Sequence, residues 1–176
     1  MGLAGLFRRP RFERSGFQLY GAAVAAARQP RFYAELGVPD TVPGRFEMVC
    51  LHNGLLIRRI NQEATKDARD LAQACFDAMF ADMDVNLREM GISDLRVGNR
   101  VKMLWEGFHG RAQAYIGAIE ADDGAALEAA LLRNVWVKEP APEGAAAALA
   151  GHARAVEAVL AAQSFKVLAA GQVSFA

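Results

Sequence analysis

Three histidines, two cysteines and one short acidic run are the side chains here with the means to hold a metal or attack a substrate. His52, His109 and His152 fall on three separate helical segments. None has a second histidine one helical turn away, so each is expected to pack or face solvent rather than to ligate. Cys50 and Cys75 lie inside apolar helical patterns, and no Cys-x-x-Cys or Cys/His spacing suggests zinc. They read as buried thiols acting as small hydrophobes, which suits a reducing compartment. Asp82-Met83-Asp84-Val85-Asn86 opens like a calcium loop. Such a loop needs Gly at its sixth position and Glu at its twelfth, and here those are Leu87 and Ser93. No Gly-x-Ser-x-Gly, phosphate loop or dinucleotide fingerprint occurs, and a nucleophilic cysteine would need exposure beside a base. No catalytic residue, cofactor or metal site is therefore expected.

Recognition chemistry is better represented. Trp105, Phe108 and Tyr115 share one helical face, and Met79, Phe80 and Met83 belong to the segment before it. Methionines suit adaptable apolar binding surfaces, although such a stripe is also what a core looks like. Gly107, Gly110 and Gly117 interrupt the same helix. Each costs up to ~1 kcal/mol relative to Ala. Either another helix of the domain approaches closely there, or the helix borders a shallow groove that takes a partner helix. Mixed charges flank the stripe: Arg88, Glu89, Asp94, Arg100, Lys102 and Arg111. Many would lie on a solvated face, with Arg88 or Glu89 bracing a turn against Asp94. Charge beside an apolar stripe also orients a bound partner.

These residues need elements to carry them. The chain has 176 residues, 53% apolar and 23% charged, enough for one well-filled domain. The formal net charge is zero, which argues against a nucleic-acid binder. Apolar periodicity and punctuation by Gly, Pro, Ser and Asp predict about seven helices in an all-α bundle. They cover about 15–28 (capped by Ser15), 30–36, 41–60, 65–90, 94–121 (capped by Ser93 or Asp94), 125–137 and an Ala-rich 143–170. The 41–60 helix is apolar nearly all round and should be central. No strand pattern and no internal repeat is visible.

Residues 1–15 read as a flexible basic arm ahead of a helical domain over 16–176. Arg8, Arg9, Arg11 and Arg14 are candidate contacts to anionic lipid, each worth ~1 kcal/mol near such a surface. No apolar run reaches the ~18 residues of a membrane span.

Three stretches resemble a known family. They are Tyr20 with Ala27-Arg28-Gln29-Pro30-Arg31-Phe32-Tyr33; Leu36-Gly37-Val38-Pro39-Asp40-Thr41-Val42-Pro43-Gly44-Arg45-Phe46-Glu47 with Leu51-His52; and Phe76 through Leu95, including Leu87-Arg88-Glu89-Met90-Gly91-Ile92-Ser93-Asp94. Gly110-Arg111 and Tyr115 continue the likeness. In this order they resemble the ubiquinol–cytochrome c chaperone family over roughly 17–138, while the Ala-rich helix carries no distinctive motif. The resemblance implies an all-helical fold, no catalysis, and a role in biogenesis of the cytochrome bc1 complex by binding newly made cytochrome b. A small partner protein or the ribosome is a possible further partner. The candidate client-binding residues are then Met79, Phe80, Met83, Arg88, Glu89, Asp94, Arg100, Lys102, Trp105, Phe108, Arg111 and Tyr115. With motifs starting within about 20 residues of Met1, the expected setting is a bacterial cytoplasm, peripheral on the inner membrane. The alternatives are a haem-handling protein, using His52 or His109, or a membrane-surface adaptor.

Overall fold

The computed structural model describes residues 11–175. Among them are eight helices and no strand: α1 (Glu13–Ala27), α2 (Pro30–Ala34), α3 (Val42–Asn61), α4 (Lys66–Glu89), α5 (Asp94–Glu120), α6 (Gly124–Val135), α7 (Ala145–Ala161) and α8 (Phe165–Ala169).

Helix α3 is the hub and packs against α1, α4, α5, α6 and α7. It starts where Thr41 Oγ1 accepts the Gly44 amide at 3.3 Å, with Pro43 in the first turn. Met48, Cys50, Leu51, Leu56 and Ile60 are buried on it, as its apolar sequence predicts. So are four polar side chains: Glu47, His52, Asn53 and Arg59. Burial of a polar group is costly unless it finds a partner. Glu47 meets Arg111, His52 meets His152, and Arg59 reaches two carbonyls of the C-terminal region; Asn53 Nδ2 points at Met79 Sδ, while its Oδ1 is buried without a partner among the described residues.

Helices α1 and α4 run side by side in the same direction, with Arg11 beside Asp67 at one end and Tyr20 bonded to Asp82 further along. Gly16 permits the approach. A Cβ there would lie 2.6 Å from the Ala74 carbonyl, inside any tolerable contact. Of the two alternatives for Gly107, Gly110 and Gly117, the close approach of another helix is absent among the described residues. Gly110 and Gly117 face open space, and Gly107 is covered only by the flexible Arg111 side chain.

Helix α4 ends at Gly91, whose φ of +80° suits glycine. Ile92 N–H returns to Leu87 O, closing the turn. Arg88 braces this turn as expected, bonding both Asp84 on its own helix and Asp94 at the start of α5. Ser93 stands at the α5 N-cap without a side-chain bond.

Two boundaries differ from the sequence reading. Helix α1 begins at Glu13, so residues 13–15 are helical; Phe12 is buried and Arg11 is ion-paired. Ser15 is not its cap; its hydroxyl donates to Ala169 O on α8. The Ala-rich segment is two helices rather than one. Arg59 explains the break: Nε donates to Leu160 O at 3.1 Å and Nη2 to Gln163 O at 2.6 Å. A buried guanidinium takes carbonyls that a continuing helix would have used. Gln163 then exchanges two hydrogen bonds with the Ser174 backbone, fastening the tail.

Candidate functional site

The surface feature best suited to recognition is a groove of about 690 Å³ between α1, the start of α3, the last third of α4 and the first half of α5. Its apolar wall comes from Val24, Val42, Phe46, Val49, Met83, Leu87, Met90, Ile92, Met103 and Leu104. On α4, Met83, Leu87 and Met90 recur every three or four residues, and on α5 Arg100, Met103, Leu104, Gly107 and Arg111 do the same. Such rows form the ridges that a third helix packs between. Three wall residues are open to water: Val42 is 60% exposed, Met90 58% and Met103 61%. Adjacent exposed apolar side chains of this kind mark interaction sites.

The groove's acids are already engaged. Glu47 and Arg111 form a two-point pair, with Oε1 2.5 Å from Nη2 and Oε2 bonded to Nε. Burial pushes the Glu47 carboxyl above its usual range while Arg111 pulls it down. Arg111 also donates to Gly107 O at 3.0 Å, which fixes the guanidinium across the helix. The Tyr20 hydroxyl donates to Asp82 Oδ2 at 2.7 Å, and burial, then this bond, hold that hydroxyl protonated. Arg45 is bonded to Asp40. Arg28 and Arg100 line the groove without an acidic partner among the described residues.

The candidate residues fall into three groups. Met83, Arg100 and Arg111 line the groove. Met79, Phe108 and Tyr115 are core residues, at most 3% exposed, and no partner reaches them in this conformation. Met79 Sδ meets Asn53 of α3, and Phe108 stands edge-on to Phe76 of α4. The rest lie outside the groove wall. Phe80 and Trp105 belong to an aromatic cluster with Phe76 and His109, in which Phe76 and Phe80 are 4.6 Å apart and Trp105 and His109 4.2 Å. Arg88 and Asp94 pair with each other, Lys102 sits 3.9 Å from Glu106, and Glu89 is exposed on the last turn of α4. The sequence reading missed the contributions of α1 and α3. Val24, Arg28, Val42 and Phe46 are remote in sequence from 76–115, and only packing brings them to the groove. Exposed Met90 and Met103, at the margins of their stripes, were the available signal.

The histidines also differ from expectation. His52 and His152, a hundred residues apart, are hydrogen-bonded through their Nε2 atoms at 3.0 Å. Arg31 Nη2 approaches His152 Nδ1 at 2.7 Å, and His52 Nδ1 approaches Met48 O at 2.8 Å. Arg31 can only donate and a carbonyl can only accept, so the tautomers follow. His152 carries its proton on Nε2 and gives that bond to His52 Nε2; His52 carries its proton on Nδ1. Phe32 and Phe175 pack edge-on against His52. Burial pushes both imidazoles down to about 4, so both are neutral near pH 7. A haem-ligating role for His52 is not available in this arrangement: it is 1% exposed and both ring nitrogens are engaged. Cys50 and Cys75 are buried free thiols, raised by burial, as expected.

Of the candidate lipid contacts, Arg8 and Arg9 lie outside the described residues. Arg11 pairs with Asp67 at 2.7 Å, and Arg14 is exposed on α1. No described helix is long and apolar enough to cross a membrane.

Comparison with known proteins agrees with this architecture. A crystal structure of the Cbp3 homolog from Brucella abortus superposes with a TM-score of 0.82 at 40% identity, covering 98% of this chain and 96% of that one. A ubiquinol-cytochrome-c reductase complex assembly factor 1 from Xenopus laevis is 24% identical over 141 residues, 79% of this chain and 70% of that protein. The family described as ubiquinol-cytochrome C chaperone matches residues 34–175. The likeness therefore runs past residue 138 through the Ala-rich α7 and the tail. On that match, the chain belongs to the ubiquinol–cytochrome c chaperone family.

Proposed function

We propose that this protein holds newly made cytochrome b during assembly of the cytochrome bc1 complex, and that the groove between α1, α3, α4 and α5 is where the client sits. The observation that carries this reading is the groove itself: an apolar, methionine-bearing channel. A membrane protein awaiting assembly exposes apolar helices, and a holder must offer complementary apolar surface while remaining separable from it. Met83, Met90 and Met103 supply that surface with unbranched side chains that repack around different ridges. The Xenopus relative's name, an assembly factor of the reductase complex, supports the same pathway.

Deleting the gene should deplete assembled bc1 complex while the cytochrome b transcript stays level. A photo-crosslinking residue at Met103 or Leu87 should capture cytochrome b, and one at Glu128 on α6 should not. Unchanged bc1 levels, or equal capture from both faces, would overturn the proposal. A cytoplasmic position peripheral on the inner membrane fits the same role. Exposed Arg14 and Phe17 on α1 are its supporting residues. Failure to co-sediment with anionic vesicles would remove that part.

A further inference from the structure

The groove's charges are arranged by depth. Glu47 is buried and Asp82 and Arg111 are partly buried, and each is consumed by a bond within the protein. Following each helix outward, Arg28 lies two turns beyond Tyr20 on α1, and Arg100 lies three turns before Arg111 on α5. Arg45, at the start of α3, shares its charge with Asp40. The exposed charges that line the groove, which mark its mouth, are thus arginines, of which Arg28 and Arg100 have no acid to answer them among the described residues. Arg96 precedes Arg100 by one turn on the same side, beside the turn at Gly91–Ser93, and adds a further positive charge next to the Arg88–Asp94 pair. The helix dipole there has the same sign. An uncharged apolar ligand would leave this rim unused, and a cationic one would be repelled by it.

We propose that the groove selects by charge as well as by apolar surface: it takes an apolar helix whose mouth-side end carries carboxylates, seated against Arg28 and Arg100. The inference rests on the client-holding reading and adds a rule for which client segment is taken. The wall rows on α1, α4 and α5 span eight to eleven residues, roughly 12–16 Å, which is two to three turns of a bound helix. A helix of that length leaves one end at the mouth. Its C-terminal end is preferred there, because its free carbonyls and added carboxylates both suit an arginine ring. Arg28 and Arg100 are exposed, so their contribution is screened by salt and acts on selection more than on total affinity.

The test uses the full-length protein and two labelled synthetic helices of identical Leu/Ala body, one ending in three glutamates and the other in three lysines, with anisotropy as readout. The glutamate helix should bind about tenfold more tightly at low salt, with the gap closing as salt rises. The pair Arg28→Glu/Arg100→Glu should reverse the preference, and Arg28→Gln/Arg100→Gln, a milder change at the same exposed sites, should abolish it. Helical circular dichroism confirms that each variant is folded. If both peptides bind equally, and Met103→Asp weakens both, the charge rule is overturned while the groove reading stands. If neither peptide binds and Met103→Asp leaves the level of assembled bc1 complex in cells unchanged, the groove reading falls with it. If a fatty acid displaces the glutamate helix and survives Arg28→Gln/Arg100→Gln unchanged, the arginine ring is not the selector.

Discussion

Acidification should destabilise this fold through two particular histidines. His52 and His152 are neutral in the native state because each is desolvated and the bond between them requires one ring to accept. In the unfolded chain each returns to an ordinary histidine value near 6.5. A folded-state value held below the unfolded one contributes stability that is complete above about pH 6.5 and is lost as pH falls toward about 4. Across that window the unfolded state binds more protons. His52 alone then gives a slope of up to about 1.4 kcal/mol per pH unit, or about 3 kcal/mol in all. His152 is partly open to solvent and adds less. Against a typical domain stability of roughly 5–15 kcal/mol this is a large share. The assay is urea unfolding at pH 7.5, 6.5, 5.5 and 4.5, comparing wild type with His52→Gln/His152→Gln. Carboxylates titrate in both proteins, so the difference in slope isolates the histidines. The wild-type midpoint should fall more steeply between pH 6.5 and 4.5. Parallel curves would show that the pair is not held neutral, and the tautomer assignment would fail with it.

Other substitutions probe the packing. Arg111→Ala strands the buried Glu47 carboxylate and should cost about 3 kcal/mol in urea unfolding, whereas Glu47→Gln/Arg111→Met should recover much of that. Gly16→Ala should destabilise by about 1–3 kcal/mol, because its Cβ would collide with the Ala74 backbone. Gly110→Ala, facing open space in mid-helix, should instead raise the melting temperature, reflecting a gain of up to about 1 kcal/mol. Arg59→Met removes the bonds to Leu160 O and Gln163 O, and should speed amide exchange at residues 163–174 while leaving α4 protected.

Helices and core were legible because they are written in local spacing. The row Ala68, Leu71, Ala72, Cys75, Met79, Met83, Leu87 and Met90 repeats mostly every three or four residues; the first six are buried on α4, and the last two open onto the groove. The central place of α3 followed from its all-round apolarity. What local spacing does not encode is which distant group answers a buried polar one. Arg59 ends α7, and His152 answers His52, from a hundred residues away. The same blindness split the candidate site. Trp105, Phe108 and Tyr115 read as one face, yet α5 turns Phe108 and Tyr115 into the core and leaves Trp105 45% exposed beside His109. The groove's other wall, from Val24 to Phe46, carries no motif that points across to Met103.

The unequal burial of α5 joins these observations. Its second half is held by Phe108, Tyr115 and Ala118, whereas before Phe108 only Val97 is buried, and Leu95 is 93% exposed. Apolar burial is the main source of local stability, so the half of α5 that walls the groove is anchored far less firmly than the half that builds the core. The Arg88 bonds to Asp84 and Asp94 hold the turn in direction but bury almost nothing, and exposed ion pairs are worth at most about 1 kcal/mol each. On the proposed reading, a wall anchored this way yields to the shape of what it binds. A fully packed hairpin would enclose one fixed sequence; a hairpin with exposed Met90 and Met103 and a single buried valine can close over apolar helices of differing side chains. On the proposed reading, shape discriminates weakly at this site, and the arginines at its mouth are what remain to set direction.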